Sequence, residues 1–141
     1  MKKLILFSLV LVFAVACNSK TSNQTEVQTE STAPAGVIEN VNPEQFKALL
    51  DQNTVILLDV RTGPEVDQGY IEGAVNIDLQ SPDFKDKLSS LDPKQPVLVY
   101  CAAGMRSQSA AQIMEELGFT KVYNLEKGIG SWTASGYELV K

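Results

Sequence analysis

The hydrophobic positions of this chain divide it into three stretches. An apolar run from Leu4 to Ala16 opens the chain, a polar stretch follows as far as residue 36, and apolar patterns of strand and helix length alternate from there to residue 141. The last stretch has the length of one ordinary domain and can bury a core of its own. We therefore treat residues 37–141 as the folded domain and the first 36 residues separately.

Strand-like and helix-like patterns alternate along this domain. The continuous apolar runs at 54–60 and 96–100 are typical of parallel strands covered on both faces. Asn42-Pro43-Glu44 combines an N-cap, a first-turn proline and an early acidic residue, which predicts the start of a helix. The alternation predicts an α/β domain with a mainly parallel central sheet and helices on both faces. Further strands are predicted over 73–77 and 121–124, and further helices from Gly63-Pro64 to about 69, over 82–88, over 107–117 and over 128–135.

The most informative segment for chemistry is the loop at residues 101–106, between the strand at 96–100 and the helix predicted from Ser107. Its residues are Cys101, Ala102, Ala103, Gly104, Met105 and Arg106. A sulfur held there meets backbone N–H groups and the positive end of the helix dipole, and a guanidinium lies nearby, so the pKa of the thiol should be lowered. The alternative is a small buried hydrophobe. A packing cysteine has no need of a glycine turn and a cation, so the loop favours a nucleophile.

The first 36 residues predict export and membrane attachment. Lys2 and Lys3, the short apolar run and the small residues before Cys17 have the form of a secretory signal over 1–16. This run is too short to span a bilayer comfortably. The position of Cys17 resembles the lipobox of bacterial lipoproteins, which implies a lipidated Cys17; an ordinary cleaved signal followed by a free cysteine is the alternative. Residues 17–36 are polar and predict a disordered tether.

Lipid attachment at Cys17 predicts a protein of the bacterial cell envelope, anchored to a membrane by acyl chains and facing the periplasm or the cell surface. Asn18 stands where some lipoproteins carry the aspartate that retains them at the inner membrane. The residue therefore favours the outer membrane.

Composition argues against several classes of function. The formal net charge of −5 becomes −7 once Lys2 and Lys3 are removed with the signal, so we expect no nucleic-acid partner. The chain has no histidine, which excludes Cys–His and Ser–His catalytic pairs and argues against zinc or haem. We expect no cofactor and no metal, and we expect a monomer.

Three separated segments resemble the rhodanese family of sulfurtransferases. They occur in the family's order and cover nearly all of residues 37–141, which implies a rhodanese-like fold. They are the stretch 57–61 with Glu65 and 69–77, the strand, cysteine loop and helix around Cys101, and the stretch 118–125 with 128–132 and Gly136-Tyr137.

The resemblance implies sulfur transfer through a persulfide on Cys101. A donor such as thiosulfate would give its outer sulfur to Cys101, and a thiol or cyanide-like acceptor would remove it. Backbone N–H groups from Ala102 to Ser107, including those of Ala103, Gly104 and Met105, would hold the anion. Arg106 would bind the sulfonate end of the donor or stabilise the loop.

Two departures bear on the substrate. Phosphatases of the same fold carry a longer loop than the four residues between Cys101 and Arg106, so this loop suits a sulfur atom. Ala102 stands where many thiosulfate-using members carry a basic residue, which leaves a different donor open.

Other roles stay open at this point. The domain could be a persulfide carrier that serves a protein acceptor, or a non-catalytic interaction module. Asp59, Arg61 and Glu65 could form an acid–base group, but we expect a structural role in which Arg61 pairs with a carboxylate. Trp132 and Tyr123 are expected to pack.

Overall fold

A computed structural model describes residues 37–141. The predicted signal, Cys17 and the tether lie outside these residues. No helix within 37–141 is long and apolar enough to cross a membrane. The strands are β1 (Ile38–Val41), β2 (Ile56–Asp59), β3 (Val75–Asn76), β4 (Val97–Tyr100) and β5 (Val122–Leu125), and the helices are α1 (Pro43–Leu50), α2 (Gly63–Val66), α3 (Phe84–Leu88), α4 (Met105–Glu116) and α5 (Gly128–Ala134).

The strands form one sheet in the order β1-β5-β4-β2-β3, and every neighbouring pair is parallel. The predicted α/β class with a parallel sheet is therefore confirmed. β4 lies in the middle, where Val99 is in register with Leu58 of β2 and Asn124 of β5. Cys101 directly follows β4, so it emerges at the centre of the carboxyl edge of the sheet, where ligand sites of parallel α/β proteins form.

Helices cover both faces of the sheet. Alternate residues of a strand point to opposite faces, so the strands contribute side chains to two separate buried clusters. On one face, Leu58 and Val99 pack in a buried cluster with residues of α3 and α4, among them Met114. On the other face, Leu57 and Leu98 pack in a second buried cluster with residues of α1 and α5. Burial on both sides explains why β2 and β4 read as continuous apolar runs.

The structure differs from the sequence-based prediction mainly at the edges of elements. β1 was not predicted, because its four residues include Glu39 and Asn40 and it lies at the edge of the sheet, pairing with β5 alone. α4 begins at Met105, two residues before the predicted start, and Gly104 is its N-cap. The Asn42 cap was correctly predicted, since its side chain accepts from the Gln45 N–H at 2.9 Å.

Candidate active site

Cys101 is buried where the loop turns back on itself, with about 1 % of its surface exposed. Its Sγ accepts hydrogen bonds from the Gly104 N–H at 3.1 Å and from the Ser107 hydroxyl at 3.5 Å. Gly104 has a φ of 91°, a left-handed conformation that glycine adopts without the strain other residues meet. This turn brings the Gly104 N–H onto the sulfur and starts α4 beside it.

The pKa of the Cys101 thiol is lowered. Burial alone raises it, but the Ser107 hydroxyl and the backbone N–H groups of Ser107, Ala103 and Gly104 outweigh burial by stabilising the thiolate. The direction agrees with the sequence-based prediction. The Ser107 hydroxyl was not part of that prediction, which had assigned only the backbone of Ser107 to the cradle. The feature of the sequence that could have indicated this contact is a hydroxyl residue on the first turn of the helix that follows the cysteine.

Arg106 is engaged by a carboxylate. Its Nη1 donates to Glu65 Oε2 at 2.8 Å and its Nη2 donates to Glu65 Oε1 at 2.5 Å, so both carboxylate oxygens are used. The two side chains are 26 % and 32 % exposed. The hydrogen bond to Glu65 is the main cause of a raised Arg106 pKa, which burial opposes and the charges of Cys101 and Asp78 reinforce. Sequence analysis had not paired these two residues, which are 41 positions apart.

Glu65 is itself fixed by the start of α2. Its Oε2 accepts from the Thr62 N–H at 3.0 Å and from the Thr62 hydroxyl at 2.7 Å, as in a capping box. The hydrogen bond from Arg106 is the main cause that lowers the pKa of Glu65 to about 2. Burial opposes this shift, and the hydrogen bonds from Thr62 reinforce it. Glu65 is therefore a carboxylate at neutral pH, held beside Arg106 at the end of the cysteine loop.

A buried ion pair positions α2. Arg61 donates to Asp59 through Nε at 3.0 Å and through Nη2 at 2.6 Å. The same guanidinium donates to the carbonyl oxygens of Glu65 at 3.2 Å and Gly69 at 2.9 Å, and it lies 5.6 Å above the Tyr100 ring. The expectation that Arg61 pairs with a carboxylate is confirmed. The pair ties the last turn of α2 and the segment that follows it to the end of β2.

The start of α5 holds the loop from the other side. The Ile129 N–H donates to the Cys101 carbonyl at 2.8 Å, and the Gly130 N–H donates to the Ala102 carbonyl at 3.4 Å. Gly128 has a φ of 61°, and a Cβ there would overlap the Cys101 oxygen and lie 2.7 Å from the Ala102 carbonyl atoms. No side chain fits at this position without displacing the loop, so Gly128 is part of the site. From the sequence, Gly128 was assigned only to a family signature and to the start of a helix.

A shallow groove of about 390 Å³ is lined by Gly104 and its neighbours in the loop, together with residues of β1 and β5. Among its lining residues, Asn124 donates to Asn40 Oδ1 at 2.8 Å and to Gln108 Oε1 at 3.1 Å. Met105 also lines this groove and is 77 % exposed. Over residues 37–141, no group of acidic and cysteine side chains is arranged to hold a metal ion.

The structure is a parallel α/β domain in which a buried, hydrogen-bonded cysteine directly follows the central strand, the arrangement that the resemblance to rhodaneses implies. The model of the rhodanese-like domain family matches residues 42–135, which is most of the described domain. The chain belongs to the rhodanese-like domain family.

Individual relatives agree with this assignment. The chain is 31 % identical over 93 residues to the thiosulfate sulfurtransferase GlpE of Shewanella oneidensis, covering 66 % of this chain and 90 % of that protein. Its fold resembles a rhodanese-related protein of Thermoplasma volcanium with a TM-score of 0.64 and 29 % identity, over 72 % of this chain and 97 % of the other.

A second group of relatives is longer. The chain is 38 % identical over 93 residues to the tRNA uridine(34) hydroxylase of Cytophaga hutchinsonii, covering 64 % of this chain. The match spans about 30 % of the length of that protein. The similarity is therefore one of a single domain.

Proposed function

We propose that the domain is a sulfurtransferase in which Cys101 is the nucleophile. The observation that carries the proposal is the environment of the sulfur, which is buried at the carboxyl end of β4 and accepts hydrogen bonds from Gly104 and Ser107. A thiolate is the reactive form of cysteine, and these donors favour it. Membership of the rhodanese-like family and the match to a thiosulfate sulfurtransferase support the same chemistry.

The proposed reaction has two steps. The Cys101 thiolate attacks the outer sulfur of a donor such as thiosulfate, a new S–S bond forms, and the donor's own S–S bond breaks as sulfite leaves with the electron pair. A thiol or cyanide then attacks the outer sulfur of the persulfide and returns Cys101 to the thiolate. The backbone N–H groups of the loop, from Ala102 through Ala103, Gly104, Met105 and Arg106 to Ser107, would stabilise the persulfide anion.

Formation of thiocyanate from thiosulfate and cyanide tests the proposal. We expect turnover by the full chain and by Cys17→Ser, which leaves the domain unchanged, and loss of turnover in Cys101→Ser. Turnover that survives Cys101→Ser would contradict the proposed nucleophile.

A second candidate function is a persulfide carrier that passes sulfur to a protein. The observation that favours it is the exposed, uncharged rim of the loop, formed by Ala102, Ala103 and the 77 % exposed Met105. Such a rim can contact a protein surface without burying a charge. A carrier would form the Cys101 persulfide but release little thiocyanate to cyanide, which separates the two functions in the same assay.

We also propose that the protein is anchored at the cell envelope through Cys17. The support is the sequence pattern of the first 17 residues, with its basic start, apolar run and small residues before the cysteine. Metabolic labelling with an alkyne-tagged palmitate, in a bacterium that processes lipoproteins, should label the wild-type chain and not Cys17→Ser. Equal labelling of both chains, or of neither, would contradict lipid attachment at Cys17.

A further inference from the structure

Within residues 37–141, the charged side chains around the cysteine loop leave no excess of positive charge. Arg106 is the loop's own cation, and both of its terminal nitrogens are used by both oxygens of Glu65. Asp78 lies close enough to raise the pKa of Arg106 and adds a second negative charge. Glu126 and Lys127, which carry opposite charges, line the groove that Gly104 also lines. The remaining side chains of the loop, at Ala102, Ala103 and Met105, carry no charge.

Releasing Arg106 for a donor would break both of its hydrogen bonds to Glu65. Glu65 is held by the Thr62 N–H and hydroxyl at the start of α2, which keep its carboxylate beside Arg106. The helix in turn is fixed by Arg61, which donates to the carbonyls of Glu65 and Gly69. An anionic donor that approaches Arg106 therefore meets a guanidinium whose positive charge is already paired with the Glu65 carboxylate.

We infer that Glu65 is a specificity-determining residue, which makes this site prefer sulfane-sulfur donors with one negative charge or none over the dianion thiosulfate. The inference rests on the proposed sulfur transfer and specifies its substrate class. Organic thiosulfonates are donors of this class: the Cys101 thiolate takes the outer sulfur, and a sulfinate leaves with the electron pair. The charges balance, because a thiolate and a monoanionic donor give a persulfide anion and a sulfinate.

Thiosulfate and methanethiosulfonate form a matched pair of probes, since both present an outer sulfur on a sulfonyl centre and differ by one charge. The experiment measures the rate of Cys101 persulfide formation with each donor, using the full chain carrying Cys17→Ser, before and after Glu65→Gln. A unit charge about 6 Å away in water-like surroundings changes such rates about threefold for a monoanion and about tenfold for a dianion. We expect Glu65→Gln to raise the thiosulfate rate about tenfold and the methanethiosulfonate rate about threefold.

Two control variants separate charge from folding. Thr62→Val keeps the carboxylate of Glu65 and its hydrogen bond from the residue 62 N–H, so it should raise the thiosulfate rate less than Glu65→Gln does. Glu115→Gln removes an exposed carboxylate near the far end of α4 and should change neither. If Glu65→Gln lowers both rates together, or if Glu115→Gln gives the same gain for thiosulfate, the inference is wrong.

The salt dependence of the unsubstituted site is a second measurement that needs no change at Glu65. With Arg106 neutralised, the thiosulfate rate should stay level or rise as ionic strength increases, because salt screens repulsion. A steep fall with salt would indicate a free cation and overturn the inference. If neither donor forms a persulfide on Cys101, the proposed function fails and the inference fails with it. A persulfide formed equally well from both donors overturns the inference alone.

Discussion

At the scale of single residues, the Ser107 hydroxyl is the one side chain in the described part of the chain that donates a hydrogen bond to the Cys101 sulfur. The Ser107 Oγ lies 3.5 Å from Cys101 Sγ and 3.1 Å from the Gly104 carbonyl oxygen, and a hydroxyl has a single proton to donate. When Cys101 is a thiolate, its charge draws this proton towards the sulfur, since hydrogen bonds to charged groups are the stronger ones. Ser107 therefore stabilises the ionised form more than the neutral form.

Ser107→Ala should raise the pKa of Cys101 and slow its reaction with iodoacetamide at pH 7. The loss of one hydrogen bond to the thiolate, about 1 kcal/mol, corresponds to a thiolate fraction, and hence a rate, lower by up to about fivefold. The measurement is the alkylation rate across pH 5–10, which follows the thiolate. Ser109→Ala is the matched control, because Ser109 lies on the same helix and donates to the Met105 carbonyl instead. An unchanged pH profile for Ser107→Ala would contradict this role.

Residue types and spacing predict the cysteine loop but not the partners of its residues. Cys101, Gly104 and Arg106 lie within six consecutive residues, so their common loop is visible in the sequence. The pairing of Arg106 with Glu65 depends on α2 folding back over the carboxyl edge of the sheet, and nothing local to either residue indicates it. The hydroxyl of Ser107 likewise reaches the sulfur only because Gly104 turns the chain and α4 begins at Met105.

At the scale of elements, the loop is held between two short helices. α2 contributes Glu65 on one side, and the start of α5 donates two N–H groups to the Cys101 and Ala102 carbonyls on the other. Sequence analysis predicted both helices, from Gly63-Pro64 and from Gly128. The contact distance between α5 and the loop was not predictable, since it depends on backbone atoms of Cys101 and Ala102 meeting Gly128 in space.

Gly128→Ala should destabilise the domain and displace the loop. The left-handed conformation alone costs an alanine about 1 kcal/mol, and the overlap with the Cys101 and Ala102 backbone adds to that. We expect a loss of more than about 2 kcal/mol in the free energy of unfolding, measured by urea denaturation. Gly118→Ala is the control, because Gly118 also has a positive φ, of 87°, but a Cβ there meets nothing within 4 Å. Equal losses in the two variants would show that the contact with the loop is unimportant.

At the scale of the whole molecule, the site joins parts of the chain that are far apart in sequence. The edge strand β1 went unpredicted because it is short and half polar, whereas β2 and β4, buried on both faces, were visible as apolar runs. The Arg106–Glu65 pair connects α4 to α2 across the same edge of the sheet. Its contribution to stability should therefore be visible in the unfolding of the whole domain.

The stability of the domain should depend on the ionisation of Glu65. Its pKa in the folded protein, about 2, lies below the ordinary value of 4.5, so the stabilisation is complete above about pH 4.5 and is lost as the pH falls towards 2. We expect the difference in unfolding free energy between the wild type and Glu65→Gln to shrink between pH 6 and pH 3. Urea denaturation at both pH values measures it, with Glu115→Gln as the control. A difference that is constant over this range would contradict the assigned pairing.

The central claim, that Cys101 carries sulfur, is tested most directly by the intact mass of the protein after exposure to a sulfane-sulfur donor. The full chain with Cys17→Ser has Cys101 as its single thiol. After treatment with thiosulfate or methanethiosulfonate, it should gain the mass of one sulfur atom, lose it on addition of cyanide, and show no gain when Cys101→Ser is added. A chain that gains no sulfur from either donor, or that gains it equally without Cys101, would contradict the account.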